Sequence, residues 1–207
     1  MTKSIPDRWL EYKPFGKVIS GTKILPFKVP LKEAVCNKLE PEDEFTPFVL
    51  LQEFPRLKYI VDLTNTCRYY DEKEFTKSGV KHKKIMVRGR VVPTMDVVQM
   101  FFKTMEEFTA ACGEDDIVGV HCTHGINRTG YLVSFSEARG YAIEREIYLN
   151  ALKKTPLYKK IDTSKVIPNP LLPVNIYCHI AYTKVICSVI SRSRPYNNHA
   201  HPACAFQ

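Results

Sequence analysis

Several features that would set this chain apart from ordinary globular proteins are absent from its sequence. No apolar run is long enough to span a bilayer. The nearest candidate, VNIYCHIAYTKVICSVIS at 174–191, is interrupted by His179 and Lys184. The first residues contain no apolar core of the signal-peptide kind, and neither a repeat nor a low-complexity block is present. We therefore expect a chain without a membrane segment or a secretory signal.

The cysteines lack the pattern of a disulfide framework or a zinc site. There are seven, an odd number, and none forms a CxxC pair. This usage favours a reducing compartment. His121, Cys122 and His124 are too close together on one short loop to face a single ion, and the Cys and His residues beyond 160 fit no standard spacing. We expect no metal and no cofactor.

Length and charge point to an ordinary domain with a basic surface. The chain has 207 residues, of which 44% are hydrophobic and 25% charged, and its net charge is +8. Such a charge favours polyanions, namely nucleic acid or phosphorylated substrates, although many basic proteins bind nothing acidic. Charge alone leaves both readings open.

The hydrophobic pattern alternates between strands and helices. It predicts a strand followed by a loop at 58–66, a strand at 83–89 and an acidic turn running into a strand at 114–122. Helices are predicted at 41–54, at 95–112 and from about 128 onward. Asp96 is a candidate cap for the long helix. This order predicts an α/β fold with a mostly parallel central sheet covered by helices on both faces. Residues 1–160 form the predicted domain, and 161–207 read as an irregular, partly disordered tail.

The chemically informative stretch is VGVHCTHGINRTGYLV at 118–133. A strand ends at His121–Cys122, and a helix begins near Arg128. The tight loop between them can turn backbone N–H groups inward as an anion nest, assisted by the helix dipole. A thiol there ionises readily, and the planar Arg128 guanidinium can hold two phosphate oxygens. Thr129 could hydrogen-bond the sulfur. A nucleotide-binding P-loop is excluded because no Gly-Lys-Ser/Thr ending follows.

These residues carry a resemblance to a known family. HCTHGINRTGYL resembles the signature of the cysteine-dependent protein tyrosine and dual-specificity phosphatases. More narrowly, it resembles the RNA 5′-triphosphatase branch, which includes the RNA/RNP-complex-interacting and baculovirus phosphatases. The stretches IVDLTNTCRYYD, KKIMVRGRVVP and ARGYAIEREIY resemble other segments of that branch. The likeness spans about residues 5–152.

The resemblance implies a cysteine-phosphatase fold and a set of site residues. Cys122 would be the nucleophile that forms a phosphocysteine, Arg128 would clamp the phosphate, and Asp62 would be a carboxylate supporting the site. The alternative is that Asp62 is a solvated or capping residue at a strand end. The residues expected to bind substrate are Thr123, His124, Gly125, Ile126, Asn127, Arg128, Thr129 and Arg68. Arg68 with Tyr69 and Tyr70 could hold the first nucleotides, or could simply pack.

The implied substrate is an RNA 5′ end carrying a triphosphate or diphosphate. The loop VRGRVVPTMD offers no carboxylate before Pro93, where protein phosphatases carry a general acid. An acid is less necessary when the leaving group is itself a phosphate, although Asp96 remains a candidate. The basic segment 81–90 could line a path for RNA or be a solvated strand edge. The resemblance also implies a nuclear location, with the cytoplasm as the alternative, and contact with RNA-processing complexes. We expect a monomer.

The chain is shortened after the signature. RTGYLV is followed at once by SFSEARGYAIERE, so roughly 20–25 residues, about two helices, are missing relative to the family. We expect exposed apolar sheet surface and weaker packing around Arg128. Glu146, which replaces a family glutamine, could repel a phosphate. Two further hypotheses follow: a dual-specificity protein tyrosine/serine phosphatase, and a catalytically weak RNA- or phosphate-binding protein.

Overall fold

One parallel sheet organises the protein, as seen in a computed structural model that describes residues 5–133 and 139–154. Its strands lie in the order β1-β4-β2-β3 and all run parallel. The strands are β1 (Ile24–Lys28), β2 (Leu57–Asp62), β3 (Lys81–Lys84) and β4 (Ile117–Cys122). Because the strands are parallel, their C-terminal ends meet at one edge of the sheet, where binding sites of open α/β folds lie.

Helices and apolar side chains cover both faces of this sheet. The helices are α1 (Glu33–Cys36), α2 (Pro47–Glu53), α3 (Lys73–Thr76), α4 (Met95–Ala111), α5 (Asn127–Val133) and α6 (Glu146–Lys154). One buried cluster contains Phe27 and Ile60, and a second, on the opposite face, contains Val61 and Val120. The predicted α/β fold with a parallel sheet flanked by helices is confirmed. No helix among the described residues is both long and apolar enough to cross a membrane.

Three local predictions were wrong. The helix expected over 41–54 is a 3-10 turn at Pro41–Asp43 followed by α2, because Pro47 occupies the first helical position and Thr46 Oγ1 accepts the Val49 N–H. The strand expected at 83–89 lies at Lys81–Lys84 instead. The cap position of α4 is Thr94, and Asp96 lies exposed in its first turn.

The shortening leaves the described part of the sheet covered. Every residue of β4 is buried, so the expectation of exposed apolar sheet surface is wrong there. The chain turns back at Arg139–Gly140 and reaches α6, which packs against α5 through Tyr131 and Tyr148. The predicted boundary near 160 and the tail 161–207 lie outside the described residues and stay predictions.

Candidate active site

The loop between β4 and α5 turns tightly over the end of β1. Gly125 has φ +69, and a Cβ atom there would lie 2.2 Å from the carbonyl oxygen of Phe27. Only glycine fits both the left-handed backbone and this close approach. Ile126, buried at 2% exposure, anchors the loop in the apolar interior. The sequence therefore places a glycine where the loop must touch the neighbouring strand.

The Cys122 thiol sits at the base of this loop, buried at 3% exposure. Burial opposes its ionisation. The Arg128 charge outweighs that effect, together with the hydroxyl and N–H of Thr129 and the backbone N–H of His124. The pKa of Cys122 is therefore held below its ordinary value. The sequence-predicted residues thus come together around one sulfur atom that favours the thiolate.

Arg128 is held in place by three hydrogen bonds. Its Nη1 donates to the carbonyl oxygens of Leu63 at 3.1 Å and Val87 at 2.8 Å, and its Nη2 donates to Thr123 Oγ1 at 2.7 Å. These partners are the residue directly after β2, the loop after β3 and the signature loop itself. The expected weakening around Arg128 is therefore not seen among the described residues.

Two predicted binding residues turn their side chains into the scaffold. His124 Nε2 lies 2.7 Å from the carbonyl oxygen of Asp7. Asn127 Oδ1 accepts the N–H groups of Glu144 at 3.2 Å and Arg145 at 2.9 Å, just ahead of α6. The side chains of these two residues therefore tie the loop to the first and last described segments.

Sequence reasoning missed Arg139, which braces the same loop. It is 2% exposed, and its Nη2 donates to the carbonyl oxygens of Lys13 at 2.5 Å and His124 at 3.1 Å. Gly125 packs against its guanidinium: a Cβ at Gly125 would lie 3.0 Å from Arg139 Nε. The matching ARG segment in the sequence was a signal for it. Glu146, in contrast, lies exposed in the first turn of α6.

Asp62 supports the site from the opposite face of the sheet. Asp62 is paired in register with His121 and lies on the same face of the sheet. Because side chains alternate along β4, the side chain of Cys122 points to the other face. The Asp62 carboxylate accepts from the Thr64 N–H and hydroxyl, both at 2.7 Å, and from Lys84 Nζ at 2.8 Å. Burial opposes ionisation, but the attraction of His121 and Lys84 wins and keeps the pKa of Asp62 below its ordinary value.

A cavity of about 320 Å³ opens beside this carboxylate at the ends of β2 and β3. Its walls include Thr66, Cys67 and Tyr69. Arg68, predicted to bind substrate, is exposed and lies against Tyr69, with Nη2 at 3.3 Å from the hydroxyl. Tyr70 is 6% exposed and hydrogen-bonded inward, so it cannot stack on a nucleotide.

The basic segment 81–90 divides between the interior and solvent. His82 and Lys84 point into the polar network around Asp62, while Lys81 and Lys83 lie exposed. After β3 the chain forms the loop 85–94, which reads IMVRGRVVPT. This loop reaches the site through the Val87 carbonyl, which accepts from Arg128. This loop contains no carboxylate.

Comparison with known proteins places the chain in a family. The tyrosine-protein phosphatase of Autographa californica nuclear polyhedrosis virus is 39% identical over 165 residues, which cover 71% of this chain and 98% of that protein. The bovine RNA/RNP complex-1-interacting phosphatase is 36% identical over 182 residues, 77% of this chain; the match spans about half, 55%, of the bovine protein. No protein-family model matches. The solved structure of Tk-PTP in its active form is 15% identical, with a TM-score of 0.45, over 86% of this chain and 97% of that one.

The sheet, the loop and these relatives define a cysteine-dependent phosphatase, a hydrolase. The chain belongs to the protein tyrosine phosphatase-like family, together with the baculovirus tyrosine-protein phosphatase and the RNA/RNP complex-1-interacting phosphatases. The resemblance drawn from the signature is thereby confirmed at the level of the family.

Proposed function

We propose that this phosphatase removes phosphates from RNA 5′ ends by a metal-independent, two-step mechanism. The Cys122 thiolate attacks the terminal phosphorus, forming an S–P bond while the P–O bond to the shortened 5′ end breaks. Water then attacks the phosphocysteine, inorganic phosphate leaves, and the thiolate returns. Arg128 and the backbone N–H groups of residues 123–129 hold the equatorial oxygens.

The observation that carries the RNA assignment is the loop facing the site. Residues 85–94 approach Arg128 through the Val87 carbonyl but include no Asp or Glu. A serine alkoxide or a tyrosine phenoxide is a poor leaving group and needs a proton from a nearby acid. A phosphate leaving group is much less basic. A site without an acid at this loop therefore favours polyphosphate ends over phosphoproteins.

The expected partners follow from the same substrate. The exposed Lys81 and Lys83 and the net charge of +8 suit an RNA backbone. The name of the bovine relative, RNA/RNP complex-1-interacting phosphatase, supports contact with RNA-processing complexes. A monomeric state and a nuclear location belong to this proposal, and the location rests on the resemblance.

A second candidate is a dual-specificity protein phosphatase. The viral relative's name, tyrosine-protein phosphatase, favours it. Asp96, exposed in the first turn of α4, would then be the acid. This candidate predicts faster hydrolysis of phosphotyrosine peptides than of triphosphate RNA, and a large loss of that activity in Asp96→Asn.

The deciding experiment measures phosphate release from 5′-triphosphorylated RNA in EDTA. We expect release from the natural chain and none from Cys122→Ser, while Cys112→Ser, at the far end of the sheet, keeps its activity. Loss of activity in EDTA, restored by a divalent cation, would contradict the metal-independent mechanism. A folded chain that binds triphosphate RNA but releases nothing would establish the binding-only alternative.

A further inference from the structure

The cavity at the ends of β2 and β3 opens close to the point where Arg128 is anchored. Its volume of about 320 Å³ lies in the range of small-molecule sites. The Leu63 carbonyl accepts from Arg128 Nη1 at 3.1 Å, and Thr64, the next residue, already lines the cavity. Only a short stretch of backbone therefore separates a group bound in the cavity from an anion bound at Arg128.

The charges around the cavity argue against a second phosphate as its occupant. Three carboxylates line it, those of Asp62, Asp71 and Glu72, together with the two ammonium groups of Lys32 and Lys84. Lys84 Nζ donates to Asp62 at 2.8 Å, so this pair is balanced within itself. Lys32 is then left to face two carboxylates. These surroundings repel a further anion and favour an uncharged group that carries N–H donors.

Tyr69 gives the cavity an aromatic wall. Its half-buried ring lines the cavity, and the guanidinium carbon of Arg68 lies 5.0 Å from the centroid of that ring. The Tyr69 carbonyl accepts the Lys32 N–H at 2.8 Å, which holds this part of the loop in place. Nucleobases stack on aromatic side chains, and an arginine on the same ring adds a cation–π contribution. A flat, uncharged base with N–H donors therefore matches the walls.

Glu72 supplies a hydrogen-bond acceptor at the rim. Its side chain is 63% exposed, Oε2 lies 3.2 Å from His82 Nδ1, and among the described residues none donates to Oε1. A carboxylate accepts two parallel N–H groups through its two oxygens. Guanine presents such a pair, its ring N–H and its amino group, whereas adenine places an acceptor nitrogen beside its amino group. The carboxylate therefore favours guanine over adenine.

We infer that this cavity binds the first nucleobase of a 5′-triphosphorylated RNA, with Tyr69 as the stacking surface and Glu72 as the group that selects guanine. The inference rests on the proposed function, which places the terminal phosphate at Arg128. The triphosphate would then run along residues 63–66, from the Arg128 anchor to the cavity, and the base would enter beside Tyr69.

The guanine preference is tested by binding, without turnover. Fluorescence anisotropy measures the Kd of Cys122→Ser for two short triphosphorylated RNAs that differ only in their first base, G or A. We expect the G-initiated RNA to bind roughly 5- to 100-fold more tightly, the discrimination that one bidentate contact provides. Adding Glu72→Gln should remove most of this difference. Adding Glu53→Gln, an exposed glutamate of α2, should keep it.

The stacking role is tested by Tyr69→Ala in the same Cys122→Ser background. We expect the Kd of both RNAs to rise roughly 5- to 100-fold, the usual loss when an aromatic platform is removed. Inorganic tripolyphosphate, which has no base, serves as the second probe, and its Kd should stay the same. The matched control is Phe48→Ala, which removes an aromatic side chain that is 65% exposed on α2 and should leave every Kd unchanged.

Three results would overturn the inference. They are equal affinity for the two RNAs, an unchanged RNA Kd in folded Tyr69→Ala, and an equal loss of tripolyphosphate binding in that variant, which would mean that Tyr69 acts only through the shape of the signature loop. Glu72→Gln alters an exposed side chain, so its result stands even if Tyr69→Ala fails to fold. The proposed function fails separately, if the natural chain shows no phosphate release that depends on Cys122.

Discussion

At the scale of single residues, each charged group near the loop combines a chemical role with a structural one. The Arg128 guanidinium donates to Leu63, Val87 and Thr123, and in the proposed mechanism it also holds the phosphate. A lysine could supply charge but not the planar fork that meets these partners together. Charge and geometry at this position are therefore separable by substitution.

Replacing Arg128 with lysine tests that separation. We expect kcat for phosphate release to fall roughly 100- to 1000-fold, the usual cost of losing one preorganised donor to a transition state. Steady-state kinetics checks this result, with Arg88→Lys, an exposed arginine of the facing loop, as the control. A loss below tenfold would mean that Arg128 contributes charge alone.

Lys28 predicts an unusual pH dependence of stability. It is 2% exposed, with Nζ 3.4 Å from the centroid of the Trp9 ring. Burial, aided by Arg139, lowers its pKa to about 8 from 10.5. The unfolded chain therefore binds more protons than the folded chain between those values, and the free energy of unfolding rises with pH by up to about 1 kcal/mol per unit.

Denaturant unfolding between pH 8 and 10 measures this slope. We expect Lys28→Met to flatten it and the exposed Lys38→Met to leave it intact. The window ends near pH 10 because Tyr12, buried and bonded to Glu144, has its pKa raised to about 12. The unfolded tyrosine ionises earlier, which lowers stability above that pH. If the same slope persists in Lys28→Met, another titrating group causes the pH dependence.

At the scale of elements, the signature loop is shaped by what it touches. The two ends of the described chain reach it through Asp7, Arg139 and Glu144, and β1 meets it at Phe27. The loop's shape is therefore a property of its neighbours as much as of its own residues.

Gly125→Ala measures how tightly that shape is enforced. The added methyl would meet the Phe27 carbonyl, so we expect the loop to be displaced, activity to be lost and stability to fall by several kcal/mol, about 3 or more. Gly79 also has a positive φ, +78, but open space around it. Gly79→Ala should cost only about 1 to 2 kcal/mol and leave activity unchanged. Equal effects in thermal melts would show that backbone strain, not collision, dominates.

At the scale of the whole molecule, charge is the property most relevant to substrate. We expect RNA binding by the Cys122→Ser variant to weaken linearly on a log–log plot against salt. Replacing Lys81 and Lys83 with glutamine should lower that slope by about 1.4, because each phosphate contact on a single strand contributes about 0.7. The same charge change at the exposed Lys17 and Lys38 should leave the slope nearly unaltered. If the Lys81 and Lys83 variant keeps the same salt dependence as the Lys17 and Lys38 variant, the RNA does not contact β3.

Much of the fold followed from pattern. The sequence pattern predicted the strand that ends at Cys122, the long helix that precedes this strand, and the signature loop. Burial and turn chemistry act locally in these segments. The boundaries that failed, at 41–54 and 83–89, were set by Pro47 and by the departure of residues 85–94 toward Arg128. The contact with Arg128 joins residues far apart in sequence, so local propensity could not predict it.

The sequence by itself determined the family and the pairing of a thiol with an arginine, because five intervening residues between a strand and a helix leave the loop little choice. Tertiary structure alone decided what stands around that pair. Asp62 lies on the far face of the sheet, His124 and Asn127 bond to distant backbone, and Arg139 and Tyr70 brace the site from behind. These roles depend on partners separated widely along the chain, and only the packing of the sheet and helices brings them within hydrogen-bond distance.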